Sequence, residues 1–137
     1  MSLVLDSSVT LAWLFSDEVT TRTAAVLAFV QSSGAWVPAI WRLEVANGLQ
    51  QGIRRGRIDA VLRDESLADL TRLPIVTDAE TDAHAWASTL NLAEHFRLTL
   101  YDASYLELAQ RRALPLATLD GALRRAADVL AIELLGA

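Results

Sequence analysis

Along this chain, short unbroken apolar runs alternate with longer stretches in which apolar positions recur every three to four residues. The runs LVL (3–5), AWVP (35–38), PIV (74–76), LPLATL (114–119) and VLAIELL (129–135) predict strands. The periodic stretches predict helices over Ser8–Phe15, Val19–Gln31, Ala39–Arg55, Asp59–Leu73, Asp78–Phe96 and Asp102–Arg112, with a short one over Gly121–Ala127. Strands that alternate with helices imply parallel β-α-β units, and hence a three-layer α/β fold. No Gly/Ser/Pro-rich linker divides the 137 residues, and 53% of them are hydrophobic, so residues 1–137 are expected to form a single domain around one core.

Laid onto such a fold, four carboxylates fall near one edge. In a parallel sheet flanked by helices, the C-terminal ends of the strands and the N-terminal ends of the following helices share the edge where ligands bind. Asp6 ends the first strand and Asp120 ends LPLATL, while Asp102 is expected to open its helix at the same edge. Glu44 lies less than two turns into the helix after AWVP, and its side chain can lean back toward the helix start. Aspartate is a favoured N-cap, and capping alone would account for Asp6, Asp102 or Asp120 taken singly. Glu44 breaks that reading, because no cap is needed inside IWRLEVANGL and a lone buried carboxylate is costly. Asn47, one turn on, is expected to share its face and hydrogen-bond it or a nearby water.

Composition narrows the chemistry. Cysteine is absent, so disulfides, thiolate metal sites and a cysteine nucleophile are excluded. Every basic residue is arginine, which removes the P-loop lysine, Schiff-base chemistry and a phosphoreceiver lysine. The net charge of −5 disfavours general polyanion binding and makes a basic protein the easier electrostatic partner. Packed carboxylates repel unless protonated or neutralised by a cation, and an all-oxygen site selects a hard ion, Mg²⁺ or Mn²⁺, of the kind that assists phosphodiester hydrolysis. No span reads as a membrane helix, and MSLVLDSS lacks the basic start of a signal peptide, so a cytoplasmic location is expected.

The segments VLDSSV, PAIWRLEVANGL, LTLYDASYLELA and LPLATLD, in this order, resemble those of the PIN-domain ribonucleases, and most closely the VapC-type toxins of bacterial toxin–antitoxin pairs. That resemblance implies a PIN-like fold with a five-stranded parallel sheet, Mg²⁺/Mn²⁺-dependent cleavage of RNA, inhibition by a cognate VapB-type antitoxin, and a homodimer. Asp6, Glu44, Asp102 and Asp120 match its four acidic positions, both catalytic and metal-holding. Ser8 and Thr118 match small hydroxyl positions that could orient a ligand, water or phosphate. In this scheme Asp6, Glu44 and Asp102 hold one ion, and Asp120 binds a second or orients the attacking water.

The remaining candidates read as bystanders. His84 and His95 lack metal-ligand spacing. The arginine runs at 54–57, 111–112 and 124–125 are explained by solvated helix faces, with RNA phosphate as the other use, and the tryptophans at 13, 36, 41 and 86 by core or interface packing. An aspartyl-nucleophile phosphatase wants an acid two residues after Asp6, where Ser8 stands, and a dinucleotide binder wants GxGxxG where DSSV stands. A non-catalytic PIN-like scaffold, or a PIN nuclease outside toxin–antitoxin systems, remains the alternative.

Overall fold

The computed structural model describes residues 1–137. Five parallel strands, β1 (Val4–Leu5), β2 (Ala35–Val37), β3 (Ile75–Thr77), β4 (Leu116–Ala117) and β5 (Leu134–Leu135), form one sheet in the order β3-β2-β1-β4-β5. The register pairs Val4 with Trp36 on one side and with Leu116 on the other. From β1 the chain steps outward through α1 (Ser7–Leu14), α2 (Thr21–Ser33), α3 (Trp41–Arg54) and α4 (Ala60–Thr71) to the β3 edge. It then returns across the sheet through α5 (Thr81–His84), a π-helical turn (Ala85–Thr89), α6 (Leu90–Phe96) and α7 (Leu100–Arg112) to β4, and α8 (Gly121–Val129) leads to β5. Right-handed crossovers in opposite directions put the two sets of helices on opposite faces. Each set packs within itself: α1 meets α2 and α3, and α7 meets α6 and α8.

The core runs through the sheet's central strands. Leu3, Val4, Leu5, Leu116 and Ala117 are all fully buried, against Val9 and Leu49 from one side and Tyr105, Leu106 and Leu108 from the other. Burial on both faces explains why these strands read as unbroken apolar runs.

Several boundaries differ from the sequence expectation for identifiable reasons. The helix expected at Asp102 starts at Leu100, because the Thr99 hydroxyl accepts from the Asp102 backbone N–H and caps it. The helix expected from Asp78 starts at Thr81, since Asp78 is buried in an ion pair with Arg111. The helix expected from Val19 starts at Thr21, behind a capping box of Thr20 and Thr23. Of VLAIELL only Leu134–Leu135 is strand: Val129 ends α8, and Ala131 turns the chain at φ 56°. No helix is long and apolar enough to cross a membrane.

Candidate active site

The strand order reverses between β1 and β4, from which the chain winds outward in opposite directions. Such a switch point leaves a crevice beyond the strand ends. Asp6 and Thr118 are the residues that follow β1 and β4, and the ladder carries them side by side: the Asp6 N–H donates to Ala117 O at 3.0 Å.

Asp6 occupies the N-cap position of α1 without capping it; its carboxylate turns to the site. Ser8 Oγ donates to Asp6 Oδ2 at 2.5 Å and Thr118 Oγ1 donates to the same oxygen at 2.8 Å. Each hydroxyl is itself fixed by a backbone amide. The Leu119 N–H donates to Ser8 Oγ at 3.0 Å and the Asp120 N–H to Thr118 Oγ1 at 3.0 Å. None of these bonds uses Oδ1, which stays free for a ligand.

Glu44 is half-buried in the first turns of α3, where it is tied by one oxygen. The Tyr105 hydroxyl donates to Glu44 Oε1 at 2.5 Å, and Ser7 Oγ donates to it at 3.3 Å. Asp102 lies in the first turn of α7, where the helix N-terminus favours its charge. Asp120 is the N-cap of α8: its Oδ2 accepts from the Leu123 N–H at 2.9 Å, so capping and site membership coincide there.

The carboxylates feel one another. Burial first, then repulsion from Glu44 and Asp120, raises Asp6 above the ordinary carboxylate range, against the lowering effect of its two hydroxyl donors. Asp102 is also raised, by burial and then by Asp120 and Asp6, against the lowering effect of the Thr99 side chain. These mutual effects place all four acids in one electrostatic neighbourhood. No three of them form a ready metal cage, and one oxygen each of Asp6, Glu44 and Asp120 accepts from a protein donor. The donor set fits a hard cation held by few carboxylates and completed by water, which is how Mg²⁺ usually binds.

Two expectations need correcting, and two residues enter. Asn47 is exposed and makes no bond to Glu44, because the buried stripe of α3 runs through Trp41, Val45, Leu49 and Gly52. Asp102 does not open its helix. Tyr105 and Ser7 hold Glu44 in place of Asn47, and Tyr105 stands one turn after Asp102 on the same face of α7, the one signal that could have found it. His95 packs edge-on against Phe96 and neither histidine bonds an acid. Arg111 and Arg124 are committed internally, Arg111 to Asp78 and Glu107, and Arg124 to the carbonyls of Thr118 and Leu135. Trp41 is buried, with its indole N–H on Thr10, whereas Trp86 is 92% exposed and packs in no core.

The PIN domain family profile matches residues 3–129, taking in all four carboxylates. The chain belongs to the PIN-domain family. PIN domains are generally metal-dependent nucleases. Among solved structures, the crystal structure of PAE2754 from Pyrobaculum aerophilum is similar, with 22% identity and a TM-score of 0.69 over 92% of this chain and 84% of that one. At that identity the likeness speaks for the fold. No curated protein matches the chain.

Proposed function

We propose that this PIN domain is a Mg²⁺- or Mn²⁺-dependent endoribonuclease, the toxin of a type II toxin–antitoxin pair acting in the cytoplasm, held in check by a VapB-type antitoxin. The observation that carries the nuclease reading is the pinning of Asp6 by Ser8 and Thr118 at the switch point, with Glu44, Asp102 and Asp120 in its electrostatic neighbourhood. Structural carboxylates would be paired with cations, as Asp78 is; these four are left facing one another.

Asp6, Glu44 and Asp102 would hold the ion, directly or through water. Bound there, it would supply neutralising charge and Lewis acidity for hydrolysis of a phosphodiester. The protein's part is preorganisation. Ser8 and Thr118 occupy Asp6 Oδ2 and leave Oδ1 unbonded, Tyr105 holds Glu44, and Asp120, whose Oδ2 caps α8, would orient a water or hold a second ion. No residue of the site is an activated nucleophile: Ser8 Oγ already donates to Asp6, and no histidine adjoins it. Water is therefore the attacking group.

The toxin reading rests on the sequence resemblance together with this complete acidic set. Induced expression of the wild type should arrest growth, and Asp6→Ala should relieve the arrest while the protein still accumulates. Purified protein should cut total RNA at discrete sites with Mg²⁺ or Mn²⁺, and the Asp6→Ala preparation, which controls for contaminating ribonuclease, should not. Harmless expression with all RNAs left intact would leave a scaffold role instead. Cleavage without growth arrest would mark a PIN nuclease outside toxin–antitoxin systems.

A further inference from the structure

Both hydroxyls that hold Asp6 lead back to one peptide plane. The Thr118 carbonyl and the Leu119 N–H belong to the same planar unit. At its amide end the Leu119 N–H donates to Ser8 Oγ at 3.0 Å, and the Thr118 hydroxyl beside it donates to Asp6 Oδ2 at 2.8 Å. Its carbonyl end is held by Arg124, whose Nη1 donates to Thr118 O at 2.7 Å and to Leu135 O at 3.2 Å. Leu135 O also accepts from the Thr118 N–H at 3.2 Å, so Arg124, Thr118 and Leu135 close a ring of three bonds. Every polar group of the fully buried Thr118 is thereby engaged.

We infer that Arg124 is a positioning residue for the acidic site, acting on Asp6 through the peptide that joins Thr118 to Leu119. The sheet gives the first argument. In a parallel ladder the N–H and C=O of Thr118 both face β5, but β5 ends at Leu135 and Gly136 turns at φ 100°. The guanidinium supplies the donor that a longer strand would have offered. Removing it strands the Thr118 carbonyl without a partner, and rotation of the peptide plane is the relief. Stiffness gives the second argument. Threonine is β-branched, so its hydroxyl follows its backbone. A rotated plane carries Thr118 Oγ1 away from Asp6 and the Leu119 N–H away from Ser8 together. Economy of charge is the third. Arg111 pairs with carboxylates, whereas both bonds of Arg124 go to backbone carbonyls at the strand ends beside the site.

The consequence for a bound ion rests on the nuclease reading; the clamp on the peptide does not.

Arg124→Met keeps a long stem and removes the donors. Amide exchange of the full chain should then quicken about tenfold more at Leu119 and Asp120, whose N–H groups bond Ser8 and Thr118, than at Val4 within the sheet. Mn²⁺ affinity, read by calorimetry, should fall about tenfold, the low end for a group that orients a metal-holding residue. The sign is decisive, because loss of a nearby cation would by itself tighten Mn²⁺ binding. Arg124→Lys, which keeps the charge and a donor, should recover part of the affinity. Exchange at Leu119 and Asp120 that keeps step with Val4 overturns the inference. So does Mn²⁺ affinity that holds or rises in Arg124→Met while RNA binding weakens and loses salt dependence, since the arginine would then serve phosphate. A wild type that binds no Mn²⁺ and cuts no RNA fails the nuclease reading instead, and amide exchange, which needs neither, still decides the clamp.

Discussion

The Tyr105 hydroxyl donates to Glu44 Oε1 at 2.5 Å, joining the middle of α7 to the start of α3 across 61 residues of sequence. Tyr105 is fully buried, and burial followed by repulsion from Asp6 and Glu44 pushes its phenol well above the ordinary tyrosine range. It is therefore a fixed donor at any pH the protein meets.

Tyr105→Phe keeps the ring and removes that donor. Stability should fall by about 1–2 kcal/mol, as for a lost bond to a charged group. RNA cleavage should fall by about 10–100-fold, the usual effect of removing a group that orients a metal-holding carboxylate. Denaturant midpoints and cleavage rates measured on one preparation separate the two effects. Unchanged cleavage would remove Glu44 from the chemistry.

The raised Asp6 and Asp102 make a pH prediction with a definite sign. An acid whose folded value lies above its unfolded one binds more protons folded than unfolded, so stability falls as pH rises from the ordinary aspartate range through the raised values. The metal-free Asp6→Asn/Asp102→Asn variant should then be more stable than wild type at neutral pH, and the difference should shrink in acid. The amide oxygen that Asp6→Asn leaves in place of the carboxylate can still accept from Ser8 and Thr118. Thermal melts across the pH range check it, and lower stability of the variant at neutral pH would mean that the acids serve the fold.

Mn²⁺ should reverse that destabilisation. At a hundred times its dissociation constant, a ligand bound only by the folded state adds about 2.7 kcal/mol. Calorimetry should show Mn²⁺ binding to the wild type and clear loss of it in the double variant.

Arg111 predicts the opposite pH trend. Its guanidinium bonds Asp78 Oδ2 at 2.6 Å and Glu107 Oε2 at 2.8 Å, with the two carboxylate side chains 1% and 6% exposed. Burial pushes Asp78 up, but Arg111, Thr81 and the Glu80 backbone outweigh it and hold it below the ordinary range. The stability this contributes is present above the unfolded value and lost as pH falls through the lowered one. Arg111→Met should cost about 3 kcal/mol at neutral pH, the low end for a broken buried pair because Arg111 is partly exposed, and less in acid.

A basic partner segment and the metal should oppose each other. Both neutralise the same carboxylates, and a guanidinium pairs bidentately with them. Raising Mn²⁺ at fixed ionic strength should weaken the partner's apparent affinity, with the reciprocal effect of equal size. Affinity independent of Mn²⁺ would mean that the partner covers the groove without entering the acidic cluster.

The positions of Asp6 and Asp120 are legible in the sequence because strand ends at a parallel-sheet edge follow from the alternation of apolar runs and helical stretches. Glu44 is legible through its misfit inside an apolar helix. The partners of Glu44 are not: a neighbour three residues along, Asn47, competes in any sequence reading with a hydroxyl 61 residues away, and only packing decides between them. Thr99 is hidden as a cap because Asp102 is also a good one; the hydroxyl wins by standing three residues before the amide it accepts from.

The bond from Thr118 to Asp6 spans 112 residues. Early in synthesis the first acid exists, yet the hydroxyl that aims it has not been made, and neither has the strand that seats it. Three of the four carboxylates precede Thr118 in the chain, so a nascent or truncated polypeptide carries most of the acidic set with none of its order. The geometry at Asp6 is thus a late event of folding, tied to arrival of β4 rather than to the presence of the acids.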